Sequence, residues 1–97
     1  MMAERNRTMI KFTYQIKHPH GMHARPAGKL ATYAKQFGDE IRIIAGEKEA
    51  DAKRLLALMS LGAKADAVLT VTVSGETEES TARQLQEYLE HSFGDRR

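Results

Sequence analysis

The chain contains no cysteine, few aromatic residues (6%) and only short apolar runs, such as Leu55 to Leu58. Without cysteine there is no disulfide, no thiolate-held metal and no cysteine nucleophile, which suits a reducing compartment. Runs this short cannot span a bilayer as a helix, so no membrane insertion is expected. Residues 1–8 are polar and lack the apolar centre of an export signal. They are expected to be a mobile leader, and the protein to be cytoplasmic. No nucleotide-binding loop is present. Gly28-Lys29 is followed by Leu30, and the position five before Gly28 is His23 instead of glycine. A kinase acting on its own is therefore excluded. Lys and Arg are scattered, the formal net charge is only +2, and aromatics are sparse, so no nucleic-acid partner is expected.

What remains reads as one small domain over residues 9–93, followed by a polar tail over 94–97. Hydrophobic residues make up 41% and charged residues 29% of the 97, the balance of a folded domain. From Met9 to Lys17 the chain alternates. Ile10, Phe12, Tyr14 and Ile16 point one way, and Lys11, Thr13, Gln15 and Lys17 the other, which predicts a half-buried strand. His18-Pro19-His20-Gly21 breaks it. Ala27, Leu30, Ala31, Ala34 and Phe37 then recur at helical spacing and predict a helix from Ala24 to Phe37, stopped by Gly38.

Residues 40–45 and 48–50 predict two strands joined at Gly46. Asp51 is expected to cap a short helix over Ala52 to Leu61, closed by Gly62. Val68 to Ser74 predicts a fourth strand with Leu69, Val71 and Val73 on one face. Thr77 is expected to cap a last helix, with Glu78 and Glu79 in its first turn and Ala82, Leu85, Leu89 and Phe93 as its stripe. The order β-α-β-β-α-β-α, with alternating strands, predicts an α+β fold: an antiparallel sheet with its helices on one face. Strand order does not follow from the pattern.

The chemistry concentrates in His20-Gly21-Met22-His23-Ala24-Arg25-Pro26-Ala27-Gly28. His23 stands at the entry of a helix, where the first amides have no internal partners and the dipole is positive. That field disfavours a positive charge on the ring and leaves a nucleophilic nitrogen. A phosphoryl group on the ring would meet the amides of Ala24 and Arg25, and the Arg25 guanidinium adds charge-assisted hydrogen bonds. Spacing alone leaves two readings open: a phosphate-carrying nucleophile, or a polar cap beside a solvated arginine. His18, His20 and His23 also raise a metal site. No carboxylate is near in sequence and a structural zinc wants four ligands, so no metal and no cofactor is expected.

The run Gly-Met-His-Ala-Arg-Pro-Ala over residues 21–27 resembles the active-site signature of the HPr family, phosphocarriers of the phosphoenolpyruvate:sugar phosphotransferase system. A second block, Ala52-Lys53, Leu55 and Met59-Ser60-Leu61-Gly62, matches as well, and the resemblance spans roughly residues 9–93. It implies an open-faced β-sandwich of four antiparallel strands and three helices, phosphorylation of His23 at Nδ1, and assistance from Arg25. Enzyme I would be the donor, a IIA domain the acceptor, and Ala24, Arg25, Leu55, Leu56 and Met59 the docking surface, with Leu58 and Leu61 in the core. A monomer that is the substrate of other enzymes is implied. Family members often carry a regulatory serine where this chain has Arg54, so no regulatory serine phosphorylation is expected here. Ser60, at the far end of that helix, is expected to be structural. A nitrogen-related regulatory carrier and an inert HPr-like binding module remain as alternative readings.

Overall fold

The computed structural model describes residues 9–17, 19, 21–91 and 93; the expected leader (1–8), tail (94–97), His18 and His20 lie outside them. The elements run β1 (Ile10–Gln15), α1 (Ala24–Ala34), β2 (Glu40–Ala45), β3 (Lys48–Asp51), α2 (Leu55–Ser60), β4 (Val68–Ser74) and α3 (Glu78–His91). The strands form one antiparallel sheet in the order β1-β4-β2-β3. This is the expected α+β open-faced sandwich.

Register explains the two-sided character of the sheet. Phe12, Val71, Ile43 and Ala50 are cross-strand neighbours, as are Ile10, Val73 and Ile41. These rows face the helices. Lys11, Thr72, Arg42 and Asp51 form a row of the opposite parity, which faces away. Leu30 and Ala34 of α1, Leu58 of α2, and Leu85 and Leu89 of α3 join Ile41, Ile43, Leu69, Val71 and Val73 in a single core. Burying each large aliphatic side chain is worth about 1.5–3 kcal/mol.

Element ends depart from expectation, each for a local reason. α1 stops at Ala34, with Lys35 as a right-handed cap; Phe37 lies beyond it and its N–H still reaches the Ala34 carbonyl at 3.1 Å. A left-handed glycine is therefore not what ends this helix. α2 begins at Leu55 instead of Ala52. The Asp51 carboxylate accepts the Lys53 N–H at 2.9 Å and the Asp51 carbonyl accepts the Arg54 N–H at 3.0 Å, making a turn before the helix. Arg54, and not Asp51, occupies the N-cap position. α3 ends at His91, and Phe93 packs back into the core with its ring edge-on to Tyr14 at 5.8 Å.

One buried carboxylate escaped the sequence reading. Asp39, only 3% exposed, precedes β2 and reaches the start of α3. Its Oδ2 accepts the Thr77 N–H at 3.0 Å, and its Oδ1 accepts the hydroxyls of Thr77 and, at 2.9 Å, Thr81. Gly75 lies so close that a Cβ there would sit 2.5 Å from Asp39 Oδ2. Thr77 thus precedes α3 as expected, but its hydroxyl donates to Asp39. Burial alone would push the Asp39 carboxyl up. The hydrogen bonds from Thr77, Thr81 and the backbone outweigh it and hold the group below the ordinary carboxylate range.

Candidate functional site

The segment leading into α1 is fastened to the loop after α2. Gly21 has φ +70°, and a Cβ on it would lie 2.5 Å from the Ala63 carbonyl oxygen and 2.7 Å from Lys64 Cα. Only glycine allows that approach without displacing backbone. Met22 donates its N–H to the same Ala63 carbonyl at 2.9 Å and buries its side chain. The next residue, His23, is turned out and exposed. It is the N-cap of α1, in extended backbone (φ −103°, ψ −169°), and its carbonyl accepts the Ala27 N–H at 2.9 Å.

The His23 side chain does not cap the helix, and no acidic residue lies in the first turn. Ala24 and Arg25 follow, both exposed. Pro26 is buried and brings no N–H. The helix therefore presents the amides of Ala24 and Arg25 beside an exposed imidazole, at the positive end of its dipole. No carboxylate among the described residues pairs with the Arg25 guanidinium. An exposed imidazole, two helix-start amides and a guanidinium thus stand together, a set with the chemistry to engage an anion.

α2 packs against α1 and completes the surface. Lys53 Nζ donates to the Phe37 carbonyl at 2.7 Å, tying the lead-in of α2 to the chain just past α1. Leu56 is 74% exposed, Leu55 40% and Met59 38%, whereas Leu58 and Leu61 are buried. Three large apolar side chains thus stand in solvent beside the histidine helix. The Ser60 hydroxyl donates to the Leu56 carbonyl at 2.9 Å, a local bond within its own helix.

Charge separates along the fold in a way the linear sequence hides. Residues 21–38 and 52–65, which build this face, contain Arg25, Lys29, Lys35, Lys53, Arg54 and Lys64 and no Asp or Glu. With a net charge of +2 overall, the remainder of the chain is net acidic. The signal is a local absence of carboxylates from two segments whose helices, α1 and α2, pack together.

No group of three His, Asp or Glu side chains that could hold a metal occurs among the described residues. Nor is any described helix long and apolar enough to cross a membrane.

Comparison with known proteins agrees with this arrangement. The family model described as "PTS HPr component phosphorylation site" matches residues 10–91. The chain is 36% identical over 81 residues to the phosphocarrier protein HPr of Buchnera aphidicola subsp. Baizongia pistaciae, covering 84% of this chain and 95% of that protein. It is also 34% identical over 80 residues to a multiphosphoryl transfer protein of Xanthomonas campestris, covering 82% of this chain but only 10% of that much longer protein. The crystal structure of HPr-C-His from Thermoanaerobacter tengcongensis superposes with a TM-score of 0.81 at 31% identity, covering 91% of this chain and 99% of that one. A sheet of this order, a histidine at the start of α1 and a match over nearly the whole domain lead to one conclusion: the chain belongs to the HPr family and is a phosphocarrier of the phosphotransferase system.

Proposed function

We propose that His23 carries the phosphoryl group, received from enzyme I loaded by phosphoenolpyruvate and passed to a IIA domain in the cytoplasm. The observation that supports this most is an exposed imidazole at the N-cap of α1, next to two amides and an arginine, with no internal carboxylate in the first turn. In each half of the relay Nδ1 and phosphorus exchange bonds. The ring nitrogen bonds to phosphorus as the donor's bond to it breaks, and later that N–P bond breaks as the acceptor's forms.

The Ala24 and Arg25 amides and the Arg25 guanidinium hold the phosphoryl oxygens. The helix start contributes about 0.3–1 kcal/mol, up to ~2 if partly buried. A charge-assisted hydrogen bond adds about 1.5–3 kcal/mol. That is enough to orient the group without trapping it. Leu55, Leu56 and Met59 supply the apolar contact that both partners use in turn, a modest interface suited to transient docking. The protein turns over as the substrate of its partners and acts as a monomer. Arg54 offers no hydroxyl to a serine kinase, so that form of control is absent here.

The test is to incubate the protein with enzyme I and phosphoenolpyruvate and weigh it. A gain of one phosphate, labile in acid and stable in base, is expected. It should disappear in His23→Ala and persist in His20→Ala. A phosphate retained by His23→Ala rejects the assignment.

A further inference from the structure

The cations at the start of α2 are committed to different degrees. Lys53 is structural, since its Nζ donates to the Phe37 carbonyl at 2.7 Å. The next residue, Arg54, is exposed, and among the described residues its side chain makes no hydrogen bond and no ion pair. The carboxylate nearest to it in sequence, Asp51, accepts the Lys53 N–H at 2.9 Å. On other faces exposed cations are matched within the fold: Lys17 to Glu90 and Arg42 to Glu49, each at 2.8 Å.

The helix gains nothing from Arg54. It is the N-cap of α2, in extended backbone, and supplies no side-chain cap. That position favours Ser, Thr, Asn or Asp, whose oxygens accept the first amides, and a positive charge there opposes the dipole. No acidic residue in the first turn offsets it. A local rule broken without internal compensation points to a role outside the fold.

The surroundings indicate which role. Arg54 directly precedes Leu55 and Leu56, 40% and 74% exposed, and Met59, 38% exposed, follows Leu55 by one turn. Residues 21–38 and 52–65 carry Lys and Arg but no Asp or Glu, so nothing within these segments competes for the guanidinium. An apolar patch bordered by a fixed cation fits a partner whose own apolar patch is bordered by a carboxylate.

We propose that Arg54 sets partner choice on this face, its guanidinium pairing with a carboxylate at the rim of the apolar patch of the phosphoryl donor. A planar guanidinium takes a carboxylate through two hydrogen bonds. At the rim such a pair speeds encounter and disfavours basic surfaces, while Leu55, Leu56 and Met59 supply the contact itself. The proposal rests on the carrier function given above and adds a residue that takes no part in holding the phosphoryl group.

The experiment follows phosphorylation of the full chain by enzyme I and phosphoenolpyruvate as the carrier concentration is varied, with the mass gain as readout. Arg54→Asp should raise KM for the carrier about tenfold or more and Arg54→Gln about threefold, with kcat within about twofold of the parent. Arg54→Lys, which keeps the charge, should stay nearer the parent than Arg54→Gln. Between about 50 and 300 mM salt the KM of the parent should rise more steeply than that of Arg54→Gln. Lys11→Glu removes as much positive charge from the open face of the sheet and should leave KM within about twofold. The urea midpoint of Arg54→Asp should equal or exceed the parent's, because an N-cap aspartate accepts the first amides.

KM values of Arg54→Asp and Arg54→Gln equal to the parent's overturn the proposal. An equal rise in Lys11→Glu does so as well, by reducing the effect to net charge. So does a loss in kcat instead of KM, which moves Arg54 to the transferring group. A urea midpoint of Arg54→Asp well below the parent's makes Arg54 a support of the fold and overturns it too. A parent chain left unphosphorylated rejects the carrier function and this proposal with it. A phosphorylated parent whose KM is indifferent to position 54 removes this proposal alone.

Discussion

The two longer helices begin in opposite ways. At the start of α3 the protein supplies its own negative charge. Asp39 takes the Thr77 N–H and two threonine hydroxyls, Glu78 accepts the Gly75 N–H at 3.0 Å, and Glu78 and Glu79 fill the first turn. At the start of α1 there is no acidic residue and no side-chain cap, and an exposed histidine stands where a cap would be. A helix start needs anionic or acceptor atoms. α3 meets that need internally and is sealed, whereas α1 leaves room for an anion brought from outside. The two helix starts therefore differ less in backbone than in where the carboxylates are placed.

The largest effect that tests this contrast is at the open end. His23→Ala should lose the phosphoenolpyruvate-dependent mass gain completely while its urea midpoint stays near that of the parent. Next, Arg25→Ala should slow phosphorylation about 10- to 100-fold, the worth of a charge-assisted hydrogen bond, as read by rapid quench with enzyme I. The closed end should answer in stability instead. Asp39→Ala should cost about 2–3 kcal/mol in urea unfolding, because buried donors lose a charged acceptor, yet leave the phosphorylation rate of the folded protein unchanged.

Within α2 the same division should appear between neighbours. Leu58→Ala should cost about 2–5 kcal/mol and Leu56→Ala less than about 0.5 kcal/mol, while only the latter weakens transfer to a IIA domain.

The smallest effect is in pH. The Asp39 carboxyl is held below its ordinary value, so its stabilising contribution is present above about pH 4 and is lost as pH falls through the lower folded value. Unfolding midpoints measured from pH 5 down to pH 2 should fall more steeply in the parent than in Asp39→Asn. Equal slopes would remove Asp39 from the account.

Much of this was legible beforehand, because periodicity reports which face is dry. The alternation in β1 and β4 and the stripes of α1 and α3 follow from it, whereas the exposure of Leu55 and Leu56 was expected only from the family resemblance, because Leu55 and Leu58 share a helix face. His23 and Arg25 were singled out by the resemblance of residues 21–27 to the HPr signature, since their spacing alone left a polar cap beside a solvated arginine equally open. Strand order was not legible, since any pairing that buries the same faces satisfies the pattern.

The start of α2 was misread because Asp51 can cap a turn as readily as a helix, and here it does the former. Asp39 was missed because its partners lie about forty positions away, at Thr77 and Thr81. The Tyr33–Tyr88 stack joins two helices whose relative placement no local pattern encodes.

The central claim is that the open end of α1 receives the phosphate. Amide spectra of the phosphorylated and unphosphorylated ¹⁵N-labelled protein test it directly. Downfield shifts of the Ala24 and Arg25 amides are expected on phosphorylation, with Thr77 and Thr81 unmoved. Unchanged Ala24 and Arg25 amides in fully phosphorylated protein would contradict it.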